Sequence, residues 1–164
     1  MRKENRINKD EKYYDERSAG GIVFKEESKK ILWLVIKTIA RKGNRRNKKE
    51  IYKFPKGHLQ RNEFLKGAAL REVEEEGKIK AEILTKLGSN DYLIWDEKLR
   101  KKIIKKVTFF LMRFKEKSNL RYFDEEVIID REWLEFKEVM KKLEYPSEKR
   151  LLKRANEKAE KYYR

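Results

Sequence analysis

The stretch that decides the reading runs Gly57-His58-Leu59-Gln60-Arg61-Asn62-Glu63, continues through seven residues to Leu70, and closes on Arg71-Glu72-Val73-Glu74-Glu75-Glu76-Gly77-Lys78-Ile79. Residues 64–76 are rich in Leu, Ala and Glu, which predicts a helix. At about 100° per residue, Leu65, Ala69, Glu72 and Glu76 share an arc of roughly 60°, with Glu75 to one side. An ordinary amphipathic helix continues its apolar stripe. This one changes from Leu and Ala to carboxylates after two turns. Acidic side chains converging on one face repel each other unless a cation sits among them. Hard oxygen donors of this type suit Mg²⁺ or Mn²⁺, which also bind phosphate oxygens. The simpler reading is a solvated helix whose glutamates pair with Lys or Arg one turn away. The spacing of the whole stretch, rather than the acidic run, decides between the two.

Outward from this helix the chain alternates short apolar segments with charged ones. Residues 18–24 predict a strand entered through small residues, and the β-branched run 31–39 a buried strand. Residues 51–54 predict a short strand stopped by Pro55. Further strands are expected over 83–87, 91–95, 103–114 and 128–136. A short amphipathic helix is expected over 136–143, and Pro146-Ser147-Glu148 opens a final helix reaching Tyr162. Residues 1–17 read as a charged tail or edge element, and residues 18–164 as one domain with a mixed β-sheet, α/β or α+β in class. Between the second and third strands, residues 41–49 form a basic loop.

Composition bounds the partners. Charged residues make up 45% and hydrophobic ones 38% of 164 residues, so the core comes from short, well-patterned segments. Aromatics at 12% are enough to fill it. The longest apolar run, Ile31 to Ile36, cannot span a bilayer, and the charged start lacks the apolar stretch of a signal peptide. No cysteine is present, which excludes disulfides and thiolate chemistry. These features predict a cytoplasmic protein without membrane partners. Forty-five Lys and Arg against 29 Asp and Glu give +16, a field that attracts phosphates or nucleic acid and equally describes a Lys/Glu-rich hyperthermophile-like surface.

The spacing of residues 57–79 resembles the Nudix box, G-x5-E-x7-R-E-U-x-E-E-x-G-U with U aliphatic. Gly57, Glu63, Arg71, Glu72, Val73, Glu75, Glu76 and Ile79 fill eight of its nine defined positions. Lys78 replaces the second glycine, and Gly77, one residue earlier, is expected to supply the left-handed turn that ends the helix. The usual Pro-Gly before the first Glu is replaced by Arg61-Asn62, where Asn62 tolerates turn geometry. The resemblance implies an α/β/α sandwich in which the box forms a loop–helix–loop beside a mixed sheet, with a C-terminal helix. It implies Glu72, Glu75, Glu76 and the Gly57 carbonyl as ligands of Mg²⁺ (Mn²⁺ as the alternative), with Glu63 and Arg71 holding loop to helix. Its reaction is attack by water on a phosphorus of a pyrophosphate linkage. Glu72, or Glu126 from outside the box, is the general base that the resemblance suggests.

Beyond the box, Ser18-Ala19-Gly20-Gly21, Phe54-Pro55-Lys56-Gly57-His58, Lys105-Lys106-Val107-Thr108-Phe109-Phe110-Leu111 and Leu143-Glu144-Tyr145-Pro146-Ser147-Glu148-Lys149 are similar to bacterial diadenosine polyphosphate hydrolases. That likeness implies phosphate contacts by Lys56 and Lys105, stacking of an adenine on Tyr92, and a place for His58 in the substrate loop, where a hydrogen bond suits it better than general-base work. The substrate implied is a dinucleoside polyphosphate, with diadenosine tetraphosphate cut to ATP and AMP. Nucleoside triphosphates, including oxidised ones, are the alternative, and RNA 5′-pyrophosphate hydrolysis would use the basic loop. A catalytically silent RNA-binding module is the non-enzymatic reading, against which the intact Glu72, Glu75 and Glu76 argue. Oligomeric state is not legible in the sequence.

Overall fold

A computed structural model describes residues 16–40, 49–121 and 128–163. Its strands are β1 (Glu16–Glu27), β2 (Lys30–Ala40), β3 (Lys49–Lys53), β4 (Lys56–His58), β5 (Ile79–Asp96), β6 (Lys101–Lys117) and β7 (Ile128–Glu135). The helices are α1 (Leu65–Gly77), α2 (Phe136–Lys142) and α3 (Pro146–Tyr162). The sheet order is β3-β2-β1-β6-β5, with β4 paired to β1 and β7 to β2. Only β1 and β6 run parallel, so the sheet is mixed.

Alternation along the strands sorts side chains onto two faces. Ile22, Phe24, Trp33, Val35, Phe109 and Leu111 meet Val139, Leu151, Leu152 and Ala155 of α2 and α3. Ala19, Val23, Leu34, Phe110 and Met112 meet Ala68, Ala69 and Val73 of α1. A helix layer therefore covers each face, and the α/β/α sandwich holds. No helix among the described residues is long and apolar enough to cross a membrane.

The sheet is opened where the site lies. β1 and β2 pair only from Phe24↔Trp33 to Glu27↔Lys30. Beyond that, β3 runs along β2 while β4 runs along β1, from Ser18↔His58 to Gly20↔Lys56. Phe54-Pro55 joins β3 to β4, and the Pro55 carbonyl accepts a hydrogen bond from the Gly21 N–H (3.1 Å). Gly20 permits this approach, because a Cβ there would overlap the Pro55 carbonyl oxygen.

Three local expectations need correction. β3 stops before Pro55 as expected, but it starts two residues earlier, at Lys49, and a further short strand not foreseen in the sequence, β4, follows on a different partner. The two strands expected over 83–87 and 91–95 are one strand, β5. Gly88-Ser89-Asn90 carry turn-forming residues, but β6 supplies a continuous partner and the excess residues are absorbed as register shifts on either side of Ile83 and before Gly88. Gly88 itself sits at φ 150°, with the Arg154 guanidinium bonded to the preceding Leu87 carbonyl. Finally, Gly77 does not supply the left-handed turn after α1. It is the last helical residue, and Lys78 takes φ 56°, ψ 35° while its N–H bonds the Glu74 carbonyl (3.0 Å). The position that a glycine holds in the box keeps its backbone conformation here, with a lysine in it. Leu34 explains Gly77, because a Cβ there would come within 2.9 Å of the Leu34 Cδ2.

Candidate active site

The α1 face that carries Ala68, Ala69 and Val73 into the core also carries Glu72, Glu75 and Glu76 inward, and all three are buried. Buried carboxylates require a compensating charge. Arg71 supplies one for Glu72 and Glu75: Nη1 donates to Glu72 Oε1 (2.8 Å) and to Glu75 Oε2 (3.0 Å), and Nε donates to Glu63 (3.0 and 3.1 Å to its two oxygens). Nη2 reaches the His58 carbonyl (2.9 Å). One guanidinium thus ties the loop before α1 to both carboxylates. Burial pulls its pKa down, but the hydrogen bond to Glu63 and the charges of Glu72 and Glu75 more than offset this and raise it, so Arg71 stays charged.

Gly57 closes the other side. A Cβ there would overlap the Glu72 carboxylate, so only glycine lets the β4 backbone lie against it. Asn62 turns the intervening loop at φ 61°. Glu76 faces β4, where the Lys56 N–H points at its Oε2 (3.4 Å), and its carbonyl accepts a hydrogen bond from Arg131 Nε (2.5 Å) on β7.

Among the described residues no three acidic or histidine side chains are arranged as a ready ligand set, and Arg71 bridges Glu72 and Glu75. The residues nevertheless fit a hard divalent cation: buried carboxylate oxygens clustered on one helix face, beside a backbone brought close by the missing Cβ of Gly57. Such an ion would share with Arg71 the neutralisation of Glu72 and Glu75.

The four residues expected at the substrate also gather. Tyr92 and Lys105 are register partners on β5 and β6. His58 on β4 has its pKa lowered by burial and then by the Lys105 charge, against the opposing pull of Glu16 4.0 Å away and with a smaller push from Lys56, which favours the neutral ring. Its Nδ1 lies 3.4 Å from the Ser18 Oγ. The Tyr92 hydroxyl stands 3.4 Å from the Ser147 Oγ at the start of α3. Lys56 joins the two clusters, with its backbone at Glu76 and its side chain on the same face of β4 as that of His58. Glu126 and most of the basic loop, including Arg45 and Arg46, lie outside the described residues.

Sequence reasoning missed Arg131 and two buried charges. Arg131, which anchors the end of α1, looks like any cation on a charged strand. Lys53 and Glu148 are buried, yet Glu148 in the first turn of a helix reads as an ordinary solvated acid. Two cavities, of about 430 Å³ beside Arg113 and Tyr162 and about 110 Å³ beside Arg17, Lys86 and Lys106, involve none of the carboxylates of α1.

The sequence profile of the family described as NUDIX domain matches residues 15–155. Over 108 residues, 65% of this chain, the sequence is 32% identical to a putative mutator protein MutT4 of Mycobacterium tuberculosis. The chain spans 42% of that relative's length. Among solved structures, the fold is similar to a NUDIX hydrolase from Nitrosomonas europaea (17% identity, TM-score 0.64, covering 86% of this chain and 88% of that one). It is similar also to the binary complex of a C. elegans Ap4A hydrolase (18% identity, TM-score 0.63, 89% and 98% covered). At these identities the structural likeness concerns the fold.

Proposed function

Since this chain belongs to the Nudix hydrolase family, we propose that it hydrolyses a pyrophosphate linkage in a nucleoside diphosphate derivative, with dinucleoside polyphosphates as the leading substrate class. The observation that carries this reading is the meeting at Lys56 of two clusters: the buried Glu72, Glu75 and Glu76 on one side, and Tyr92, Lys105 and His58 on the other. Lys56 and Lys105 provide point charges for a phosphate chain. Tyr92 provides an aromatic face for a base. Neutral His58 is available as a hydrogen-bond partner in the substrate loop.

Nudix hydrolases generally use divalent metals, and Mg²⁺ is the ion proposed for Glu72, Glu75, Glu76 and the Gly57 carbonyl. When bound it neutralises phosphate charge and lowers the pKa of water. The chain's own residues do the rest. Arg71 and Glu63 hold the loop and helix in register, so that the carboxylates stay at fixed positions relative to β4. Water adds to phosphorus, the bridging P–O bond breaks, and one nucleotide leaves with the bridging oxygen. Glu72 is the candidate acceptor of the water proton within the box, and Glu126 the candidate outside it.

A second reading, cleavage of nucleoside triphosphates including oxidised ones, is favoured by the likeness to a protein named for a mutator role. Product chromatography with Mg²⁺ on diadenosine tetraphosphate, GTP, 8-oxo-dGTP, ADP-ribose and triphosphorylated RNA separates the readings. ATP and AMP from the dinucleotide at the fastest rate, abolished by Glu76→Gln, is the expected result. Faster cleavage of a triphosphate transfers the assignment to the second reading. Preference for RNA brings the basic loop into the site. Absence of cleavage for every compound removes the enzymatic assignment.

A further inference from the structure

The β5–β6 hairpin carries apolar surface that the other described residues leave uncovered. Leu93, Ile94, Trp95 and Leu99 are all exposed there, and Trp95 keeps 54% of its surface open. Cross-strand partners in this stretch are Asp91↔Lys106, Leu93↔Ile104 and Trp95↔Lys102, with no register shift between Gly88 and Asp96. Partners share a face of the sheet, so Leu93, Trp95 and Ile104 lie together with Lys102 and Lys106. Tyr92, which meets Ser147 of α3, is on the opposite face. Further along the sheet α1 covers the Trp95 face, and at that margin Leu65 of α1 and Thr108 line the cavity of about 110 Å³. The other lining residues are Arg17, Lys86 and Lys106, and Arg17 is the β1 register partner of Lys106. Trp95 stands four residues along the hairpin from Asp91 in the Lys106 row, about 13 Å away. Phe64, next in the chain to Leu65, is 84% exposed.

Charge selects the occupant. An exposed Leu–Trp–Ile patch would suit a second copy of the chain, but each copy carries +16 and repels the other. An anionic partner is drawn to the same cations. An open aromatic ring beside a basic cleft fits a single strand best, because unpaired bases stack on the ring while phosphates follow the cations. We propose that this face of the hairpin binds single-stranded nucleic acid, with Trp95 as the stacking platform and Arg17, Lys86 and Lys106 as phosphate contacts. The Ser89 and Thr108 hydroxyls on this face bond each other (3.0 Å). Stacking and charge therefore dominate, and sequence preference is slight. The cavity involves none of the carboxylates of α1, so binding needs neither a metal nor a scissile pyrophosphate.

The test is fluorescence anisotropy of a labelled 5′-hydroxyl oligouridylate of about twelve nucleotides, in EDTA, over a salt series. Trp95→Leu keeps an apolar side chain but removes the ring, and is expected to bind roughly tenfold more weakly, whereas Trp95→Phe stays near the native affinity. Arg17→Gln with Lys86→Gln, both at exposed positions, should also weaken binding and make the slope of log affinity against log salt shallower by about 1.4. Lys153→Gln with Lys161→Gln removes the same charge from exposed positions of α3 and should change affinity little. Undiminished binding by Trp95→Leu, or equal losses from the two charge pairs, overturns the proposal and leaves only the general field of the +16 chain. Displacement of the oligonucleotide by polyglutamate at equal charge concentration assigns the face to an acidic protein instead. A dimer in sedimentation that Trp95→Leu dissociates assigns it to a second copy. No binding by the native chain also overturns it. Nucleotide hydrolysis by Trp95→Leu should equal the native rate, so each of these failures leaves the enzymatic reading standing.

Discussion

At Gly57 a hydrogen stands where any other residue would push a carbon into the Glu72 carboxylate. Gly57→Ala therefore has to displace either β4 or Glu72. A shift of about 1 Å in a reacting group lowers turnover by roughly a hundredfold, and forcing a carbon into the filled space beside this half-buried backbone costs about 1–3 kcal/mol. Steady-state kinetics and chemical denaturation of Gly57→Ala should show both losses together. Glu148 yields a pH prediction. The native chain keeps its proton up to about 7, whereas the unfolded chain releases it near the ordinary value of 4.5. The native state thus binds more protons between these values. Its relative stability is fully present below pH 4.5 and lost as pH rises to about 7. Glu148→Gln, which cannot ionise, is expected to be more stable than the native chain above this window, by about 3 kcal/mol at most. The difference should shrink as pH falls through the window, as urea denaturation across the same range would reveal.

Among the elements, α1 was legible almost to the residue, because its composition and its acidic face act within one helix. Its C-terminus was not. Only the left-handed turn at Lys78 shows that the helix ends where the box places its glycine. A side chain there carries a backbone cost of about 1 kcal/mol relative to glycine, offset in part by the bond from Lys78 Nζ to the Leu120 carbonyl (3.0 Å). Lys78→Gly is expected to stabilise the fold by up to about 1 kcal/mol, and an unaltered or lower denaturation midpoint would show that the Leu120 contact dominates. The β1–β2 hairpin was hidden for a related reason. Ser28 and Lys29 both take positive φ, as a tight two-residue hairpin turn demands, without the Asn-Gly that usually announces one. The split of the sheet at Phe54-Pro55 was also invisible, since it depends on which neighbours β3 and β4 find.

Across the whole molecule, the charge divides into paired and field components. Lys30–Glu135 (2.8 Å), Lys37–Glu50 (2.9 Å) and Lys49–Glu144 (2.6 Å) link different elements at the surface. Exposed pairs of this kind contribute about 0–1 kcal/mol each, so raising salt should change the denaturation midpoint little. The +16 excess remains. If the substrate is a small dinucleotide, KM should depend weakly on salt, because few counterions are released. An RNA substrate should instead show a steep linear fall of log affinity with log salt. Measuring KM and RNA affinity over a salt series separates a general surface property from a binding function.

The amino-acid sequence by itself determined a mixed-sheet α/β or α+β domain, and the resemblance carried by the box implied the sandwich and the candidate carboxylates. Period-2 and period-3.6 patterns and the spacing of the box are local properties, written into neighbouring residues. The pairing of Glu63 with Arg71 across the loop, which the resemblance implied, is present at 3.0 Å. Tertiary structure alone decided the rest. It placed the Arg71 guanidinium between Glu72 and Glu75, brought the Lys56 backbone N–H to Glu76, and anchored the end of α1 to Arg131. The contacts of Glu76 with Lys56 and Arg131 join residues 20 and 55 positions apart in the chain, and no periodicity encodes them. Burial decided their chemistry, because a carboxylate's solvation and partners are set by the elements packed over it, which one strand or helix cannot reveal.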